Sequence, residues 1–380
     1  MERQIHCLNK ISPVGLKVLP NNYKISDSLQ ENVDAILVRS AAMHEMELPK
    51  SVLAVARAGA GVNNIPLDRF AEEGVVVFNT PGANANGVKE LVIAMMLLAA
   101  RDIRGSMEWV KDNKDDPEIN KSMEKAKGAF AGTEILGKTL GVIGCGAIGS
   151  LVADAASKLG MKVVAVEPSE AVIKKNAELL KEVELVTLDE LYRRSDYITI
   201  HVPLLDATRG MLNKDAFSKM KDGVIVINAA RDALVNDDDL KEALENGKVR
   251  KYVTDFPNAK TANMDGVVAI SHLGASTEES EDNCAAMAAN QVVNYLENGN
   301  IVNSVNYPNL SLGPKTGNRV VVLFENNEDV LASVLKTVKP FAKADPVYGA
   351  KGANGALIAD VSTKVEGLEK LQGVRRVINL

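Results

Sequence analysis

The sequence predicts an α/β protein: two parallel-sheet domains of the Rossmann and flavodoxin-like kind, then a small ferredoxin-like βαββαβ domain. Three observations predict it. Short apolar runs alternate with helix-like segments over most of the 380 residues, the rhythm of parallel β-α-β units. A strand, a Gly-x-Gly-x-x-Gly turn, a helix and a second strand ending on an acid follow one another across residues 139–167. From residue 318 onward the pattern changes to strand, helix, strand, strand, helix, strand, the split ferredoxin-like order.

Taken in order, the apolar runs at 5–8, 35–38, 52–56 and 75–78 read as strands of a first parallel sheet. Pro66 to Glu73 reads as a short helix with proline near its start. A long apolar helix, Asn86 to Arg101, leads into a polar arm at 104–137 that holds the only tryptophan, Trp109. That arm reads as a surface feature or a subunit contact. Strands then recur near 139–143, 162–166, 197–202, 224–228, 251–254 and 267–270. The helix from Ser276 to Asn298 returns the chain to the first unit, so the expected organisation is discontinuous. Residues 1–85 with 276–308 form one domain, 86–275 the dinucleotide domain, 309–317 a Gly/Pro linker and 318–380 the last domain. Within the last, helices are expected at 329–341 and 365–371.

Composition limits the function. With 46% apolar residues there is material for several cores, and a net charge of −6 argues against nucleic acid or an anionic membrane as partner. Cys7, Cys145 and Cys284 form no C-x-x-C pair and no metal-ligand spacing. No metal is expected, and a reducing, cytoplasmic setting is. The apolar run Leu91 to Ala100 is too short to span a bilayer, and residues 1–6 lack a signal-peptide core.

In the glycine turn each residue has a task. Gly144 permits the tight bend, Gly146 lets backbone approach a pyrophosphate, and Gly149 allows close packing of helix on strand. The helix start at Ala147 and Ile148 offers unpaired N–H groups to phosphate oxygens. Glu167, about 20 residues on, can accept from both ribose hydroxyls and would repel a 2′-phosphate, so NAD is favoured over NADP. The other strands also end on polar groups: His201-Val202-Pro203, Asn228-Ala229-Ala230-Arg231, Asp255-Phe256 and Ser271-His272-Leu273-Gly274. Ligands gather at that edge of an open parallel sheet.

Four histidines could carry a proton. His6 and His44 lie in strand-like or polar surface contexts. His201 could act through its ring or only through its backbone. His272, before a Gly-Ala-Ser turn, is placed to enter a cleft. Arg231 can grip a carboxylate with its guanidinium or pair with Asp232. Asp255 can accept from a nicotinamide carboxamide or cap the next turn.

These residues resemble the D-isomer-specific 2-hydroxyacid dehydrogenases. The likeness runs through Arg39-Ser40, Arg57 to Ile65, Asn79 to Asn84, Gly144 to Gly149, His201 to Leu204, Asn228 to Arg231 and His272 to Thr277. It is nearest to the short, phosphoglycerate-oxidising members that end in an ACT domain. The resemblance implies NAD-dependent oxidation of 3-phospho-D-glycerate to 3-phosphooxypyruvate, the entry to serine synthesis. It implies a carboxylate held by Arg231 and by the loop of Ala58, Gly59, Ala60 and Gly61, with His272 taking the C2-hydroxyl proton. Arg39 and Arg57 stand where phosphate contacts are expected, or where plain salt bridges form. Thr208 and the backbone near His201, Ala229 and Gly274 would line the cofactor. The 104–137 arm and the ACT module both point to self-association, so a homo-oligomer is expected, and the ACT resemblance implies an amino-acid effector there.

Two positions depart from the family pattern. Lys260 stands where a glutamate usually pairs with the histidine, so His272 either lacks that carboxylate or borrows Glu278, Glu279 or Glu281. The first turn of the last domain, Glu325 to Asp329, lacks the glycine that admits an amino-acid effector. Two other activities compete: reduction of an unphosphorylated 2-oxo acid such as hydroxypyruvate or glyoxylate, and NAD(H) sensing without turnover.

Overall fold

The computed structural model describes residues 2–29 and 31–380. Two compact units emerge, Met1–Asn84 with Glu278–Leu380, and Ala85–Thr277. In the first, strands β1 (Arg3–Cys7), β2 (Tyr23–Ser26), β3 (Ala35–Val38), β4 (Ala54–Arg57) and β5 (Val76–Phe78) pair in parallel in the order β2-β1-β3-β4-β5. That is the flavodoxin-like order. Ala35, Ile36, Leu37 and Val38 are all fully buried, because helices or loops cover both faces of the sheet. One face packs on the long Glu278–Asn298 helix through Ala285, Ala288, Val292 and Leu296. The other meets Val33, Phe70 and neighbours. The sequence pattern missed β2, an edge strand whose middle residues are exposed, so its apolar signal is weak.

In the second unit, β6 (Thr139–Ile143), β7 (Lys162–Val166), β8 (Val183–Leu185), β9 (Tyr197–Ile200), β10 (Val224–Asn228), β11 (Val249–Thr254) and β12 (Val267–Ala269) form one sheet. Its order is β12-β11-β10-β9-β6-β7-β8, all parallel. This is the doubly wound Rossmann arrangement, with its topological switch between β6 and β9. Side chains on its two faces sort into separate cores, Leu140 and Val142 with Val152 and Met96 on one, Ile198 and Ile200 with Leu191 and Phe217 on the other. The arm is helical, Ile103–Asp112 and Ile119–Ala126, and neither helix buries a residue.

The C-terminal strands β13 (Asn318–Glu325), β14 (Val347–Lys351), β15 (Asn354–Val361) and β16 (Val374–Asn379) form an antiparallel sheet in the order β14-β15-β13-β16. The helix Glu328–Val338 covers one face through Val334 and Val338. It stops before Pro340, short of the expected 341, and a 3-10 turn follows. The second expected helix, 365–371, is reduced to a 3-10 turn at Leu368–Lys370. Gly367, at φ 85°, breaks the helical path there. The opposite face of this sheet offers Val321, Leu323, Ala356 and Ile358 to the same core as Ile5, Ala56 and Tyr295.

Arg319 sits at that junction, 1% exposed. Its Nε and Nη2 donate to the two Asp360 carboxylate oxygens at 2.7 and 3.2 Å, and Nη1 donates to the carbonyls of Asn298 and Gly313 at 2.7 and 2.8 Å. Nη1 thus ties the last sheet to the end of the long helix and to the segment after it, while the two donations to Asp360 stay within the sheet. Truncating it leaves two carbonyls and a half-buried carboxylate unpaired, so Arg319→Met should cost about 2–4 kcal/mol. Urea unfolding of the full chain measures this, and an unchanged midpoint would mean water replaces the arginine.

Candidate active site

The dinucleotide end is built from steric necessity. β6 runs into Gly144, at φ 89°, a conformation glycine adopts without strain. A side chain at Gly144 would come within 2.9 Å of the His201 carbonyl, and one at Gly149 within 1.9 Å of the Gly144 carbonyl. At Gly146, which caps the Ala147–Lys158 helix, a Cβ would meet nothing within 4 Å. That opening, beside a helix start with no side-chain cap, fits a pyrophosphate. After β7, Glu167 accepts from the Cys145 N–H at 2.9 Å and the Ser169 N–H at 3.0 Å, so its carboxylate is fixed beside the turn. Thr208 donates to the Pro203 carbonyl at 2.6 Å and accepts from Leu205 N–H at 2.9 Å, which shapes the 203–208 loop.

His201 is sealed by its own strand. Its Nε2 lies 3.0 Å from Thr199 Oγ1, and Nδ1 is buried with no partner among the described residues. Although the residue as a whole is only half-buried, the ring itself is out of water, and burial pushes it down to about 4. It is a neutral imidazole at neutral pH, which leaves its backbone as the part that bears on the Gly144 turn.

The Arg231 turn hangs on Asn228, which is fully buried. Its Oδ1 accepts from Ala230 and Arg231 N–H at 3.0 and 3.3 Å, while Nδ2 donates to the Arg231 carbonyl at 2.7 Å and to Tyr252 Oη at 3.0 Å. The next residue of that segment, Ala229, is buried too. Arg231 makes no ion pair with Asp232: its guanidinium carbon lies 5.2 Å from the centre of the Phe256 ring. The His272 ring lies 4.3 Å from the same ring, tilted by 45°. One aromatic side chain therefore touches both proposed catalytic residues. Phe256 stands in the strand-end motif after Asp255, but nothing in the sequence assigns its ring a role.

Asp255 is 1% exposed. Its Oδ2 accepts from Gly274 N–H at 3.2 Å, and Oδ1 is buried without a partner among the described residues. Burial raises its pKa, opposed by the Gly274 N–H and by the nearby His272 and Arg231. An orphaned carboxylate oxygen asks for a donor, which a carboxamide supplies. Lys260 is turned out to Asp238, 2.8 Å away on the surface.

In the first unit, Arg39 and Arg57 follow or end adjacent strands β3 and β4. Arg57 Nε donates to the Arg39 carbonyl at 3.0 Å. Arg39 pairs with Glu281 at 2.6 Å, so Glu281 already has a cationic partner in its own unit. A side chain on Gly59 would come within 2.3 Å of the Arg57 guanidinium. The Ala58 N–H bonds the Val38 carbonyl and the Gly59 N–H bonds the Arg57 carbonyl, so both are spent. This corrects the expectation that the whole loop donates; Ala60 and Gly61 carry its remaining N–H groups. Among the described residues no cluster of His, Cys, Asp or Glu could hold a metal, and no helix is long and apolar enough to cross a membrane.

A Rossmann sheet with this turn, a fixed acid after β7 and an Arg–His pair at the same edge defines an NAD-dependent oxidoreductase. The family model "D-isomer specific 2-hydroxyacid dehydrogenase, NAD binding domain" matches residues 93–274. A hydroxypyruvate reductase of Thermotoga maritima is 40% identical over 66% of this chain and 80% of its own length. A D-3-phosphoglycerate dehydrogenase of Archaeoglobus fulgidus is 39% identical over 73% of this chain. The chain spans about half the length of that relative, 52%. An NAD-bound 3-phosphoglycerate dehydrogenase of Entamoeba histolytica superposes with a TM-score of 0.62 at 25% identity, covering 80% of this chain and 99% of its own. The chain belongs to the D-isomer-specific 2-hydroxyacid dehydrogenases.

The buried His201 ring has a consequence for stability. Its folded pKa lies below the ordinary 6.5, so its contribution is complete above about pH 6.5 and is lost as pH falls toward 4. The full loss is on the order of 3 kcal/mol. Urea midpoints from pH 7 to 4 should fall more steeply for the native chain than for His201→Asn; parallel curves would show the ring to be hydrated.

Proposed function

We propose that the chain oxidises 3-phospho-D-glycerate at C2 to 3-phosphooxypyruvate. The observation that carries this is the pair of arginines joined at the ends of β3 and β4, two cations where a hydroxy acid without a phosphate needs none. Arg231 holds the substrate carboxylate with its fork of donors. His272 accepts the C2-hydroxyl proton as the C2–O bond becomes a carbonyl. NAD, when bound, accepts the hydride from C2. Glu167 takes the ribose hydroxyls, the Gly144–Gly149 turn and the helix start at Ala147 and Ile148 take the pyrophosphate, and Asp255 takes the carboxamide. The backbone of His201, Val202, Pro203, Ala229, Ala230 and Gly274 and the Thr208 loop line the cofactor. Phe256 holds Arg231 and His272 in mutual register.

A second reading is reduction of an unphosphorylated 2-oxo acid such as hydroxypyruvate. It is favoured by the likeness to the Thermotoga reductase and by the carboxylate already on Arg39. NADH formation with 3-phosphoglycerate, compared with D-glycerate, separates the two: faster turnover of the phosphorylated acid supports the first. His272→Asn should lower turnover by about 10²- to 10⁴-fold and leave NADH affinity within about twofold. NADH binding by the native chain with no turnover of any 2-hydroxy acid would instead support a sensing role.

The C-terminal module serves regulation in this reading, not chemistry. Its first turn is tied to the hairpin between β14 and β15: Asn326 N–H donates to the Ala353 carbonyl at 2.9 Å, and Asn327 caps the following helix. Glu328 and Asp329 in that first helical turn oppose a carboxylate ligand, so L-serine in the same assay should leave the rate unchanged.

The arm is proposed as a self-association surface of a homo-oligomer. Met107 and Leu136 are 67% and 68% exposed, with Ile103, Val110 and Met123 also outward. Sedimentation at micromolar concentration should show a dimer or larger, and a monomer would overturn this.

A further inference from the structure

Outside the hydride-transfer residues, the oddest charge arrangement lies in the first unit. A site proposed to hold a phosphate has an acid already seated on one of its cations. Glu281 Oε1 is 2.6 Å from Arg39 Nη2, and both side chains are 40% exposed, so substrate and water can reach them. Glu281 belongs to the first turn of the Glu278–Asn298 helix, three residues before the buried Cys284. Burial pushes the Cys284 thiol up; Thr80, Arg57 and Arg39 pull it down, and Glu281 pushes it up again, so all three charges act on one thiol. The neighbouring acid, Asp282, is engaged differently, as acceptor for the Ser12 hydroxyl.

We propose that Glu281 is a specificity-determining residue that competes with a substrate's phosphate monoester for Arg39. This rests on reading Arg39 and Arg57 as the phosphate contacts. A phosphate monoester carries about −1.5 to −2 charge at neutral pH. It must displace the Glu281 carboxylate from Arg39 and then lie beside it, and like charges at such range repel. A substrate with a neutral hydroxyl at that end meets neither cost, since the Arg39–Glu281 pair is nearly neutral. Glu281 therefore narrows the preference for phosphorylated over unphosphorylated acids. Because exposed pairs contribute little, the narrowing is modest and salt-dependent.

The test is the ratio of kcat/KM for 3-phosphoglycerate to that for D-glycerate, measured on the full chain at low and at high salt. Glu281→Gln keeps the shape and removes the charge; the ratio should rise about 3- to 10-fold at low salt and the gain should shrink as salt is added. Glu281→Asp, which keeps the charge, should stay within about twofold of the native ratio. Arg39→Ala reports on the underlying reading and should lower the ratio about tenfold or more. If Arg39→Ala leaves the ratio unchanged, the phosphate assignment fails and the inference falls with it. If Arg39→Ala lowers the ratio but Glu281→Gln lowers it too or leaves it alone, Glu281 supports Arg39 and does not compete. In that case only the present inference is overturned.

Discussion

Close backbone packing at the sheet's switch point is the constraint on which the cofactor site depends. The Gly144 carbonyl occupies the space where a Gly149 side chain would be, and the His201 carbonyl borders the space where a Gly144 side chain would be. Two strands that diverge in connectivity are thereby held with their ends in contact, and the helix start is aimed at the gap between them. Glu167 locks the same turn from the other side by accepting the Cys145 N–H. Sterics fix the position of the turn, and the carboxylate fixes its orientation. Neither could be relaxed without moving the helix N–H groups that a pyrophosphate needs.

The same economy recurs at the next strand ends. Asn228 satisfies three groups of the Arg231 turn and one tyrosine from a single buried amide. Buried polar atoms that are fully paired hold one geometry firmly. Asp255 is different: like the His201 ring nitrogen Nδ1, its Oδ1 has no partner among the described residues. A protein rarely leaves a buried acceptor unpaired. Here the exception falls where a cofactor group is proposed to bind, at the sheet edge that ligands use.

The glycine turn, the acid after β7 and the strand ends could be read from the sequence because each is a local requirement tied to a residue type. The contacts that join them could not. Phe256 is an ordinary aromatic residue in sequence; only the folded β11 and β12 ends put Arg231 and His272 against its ring. Asn228 was visible as a polar strand end, but its hydrogen bonds require the fold. In the last module Val365 and Leu368 have helical spacing, which is why the sequence suggests a helix at 365–371. They are buried by a loop instead, with Gly367 turning the chain between them. Burial produced the apolar spacing, and the backbone of one glycine decided against a helix.

Lys260 and Glu281 are best understood together. At Lys260 the site lacks the acid expected beside its histidine, and the lysine is drawn off to Asp238. Close to the His272–Phe256–Arg231 group is Asp255, a carboxylate held by Gly274 and influenced electrostatically by His272 and Arg231. Its raised pKa shows that burial outweighs those neighbours, so it is a costly place for a charge. In the first unit the situation is reversed: Arg39 pairs with one acid in an exposed setting where charge is easily solvated, with Arg57 bonded to the Arg39 carbonyl. A buried acid without a full set of donors and an exposed cation with a replaceable partner are both poised for exchange. Each becomes better satisfied when a ligand group of the right sign arrives, which is how a binding site differs from a salt bridge that merely stabilises the fold.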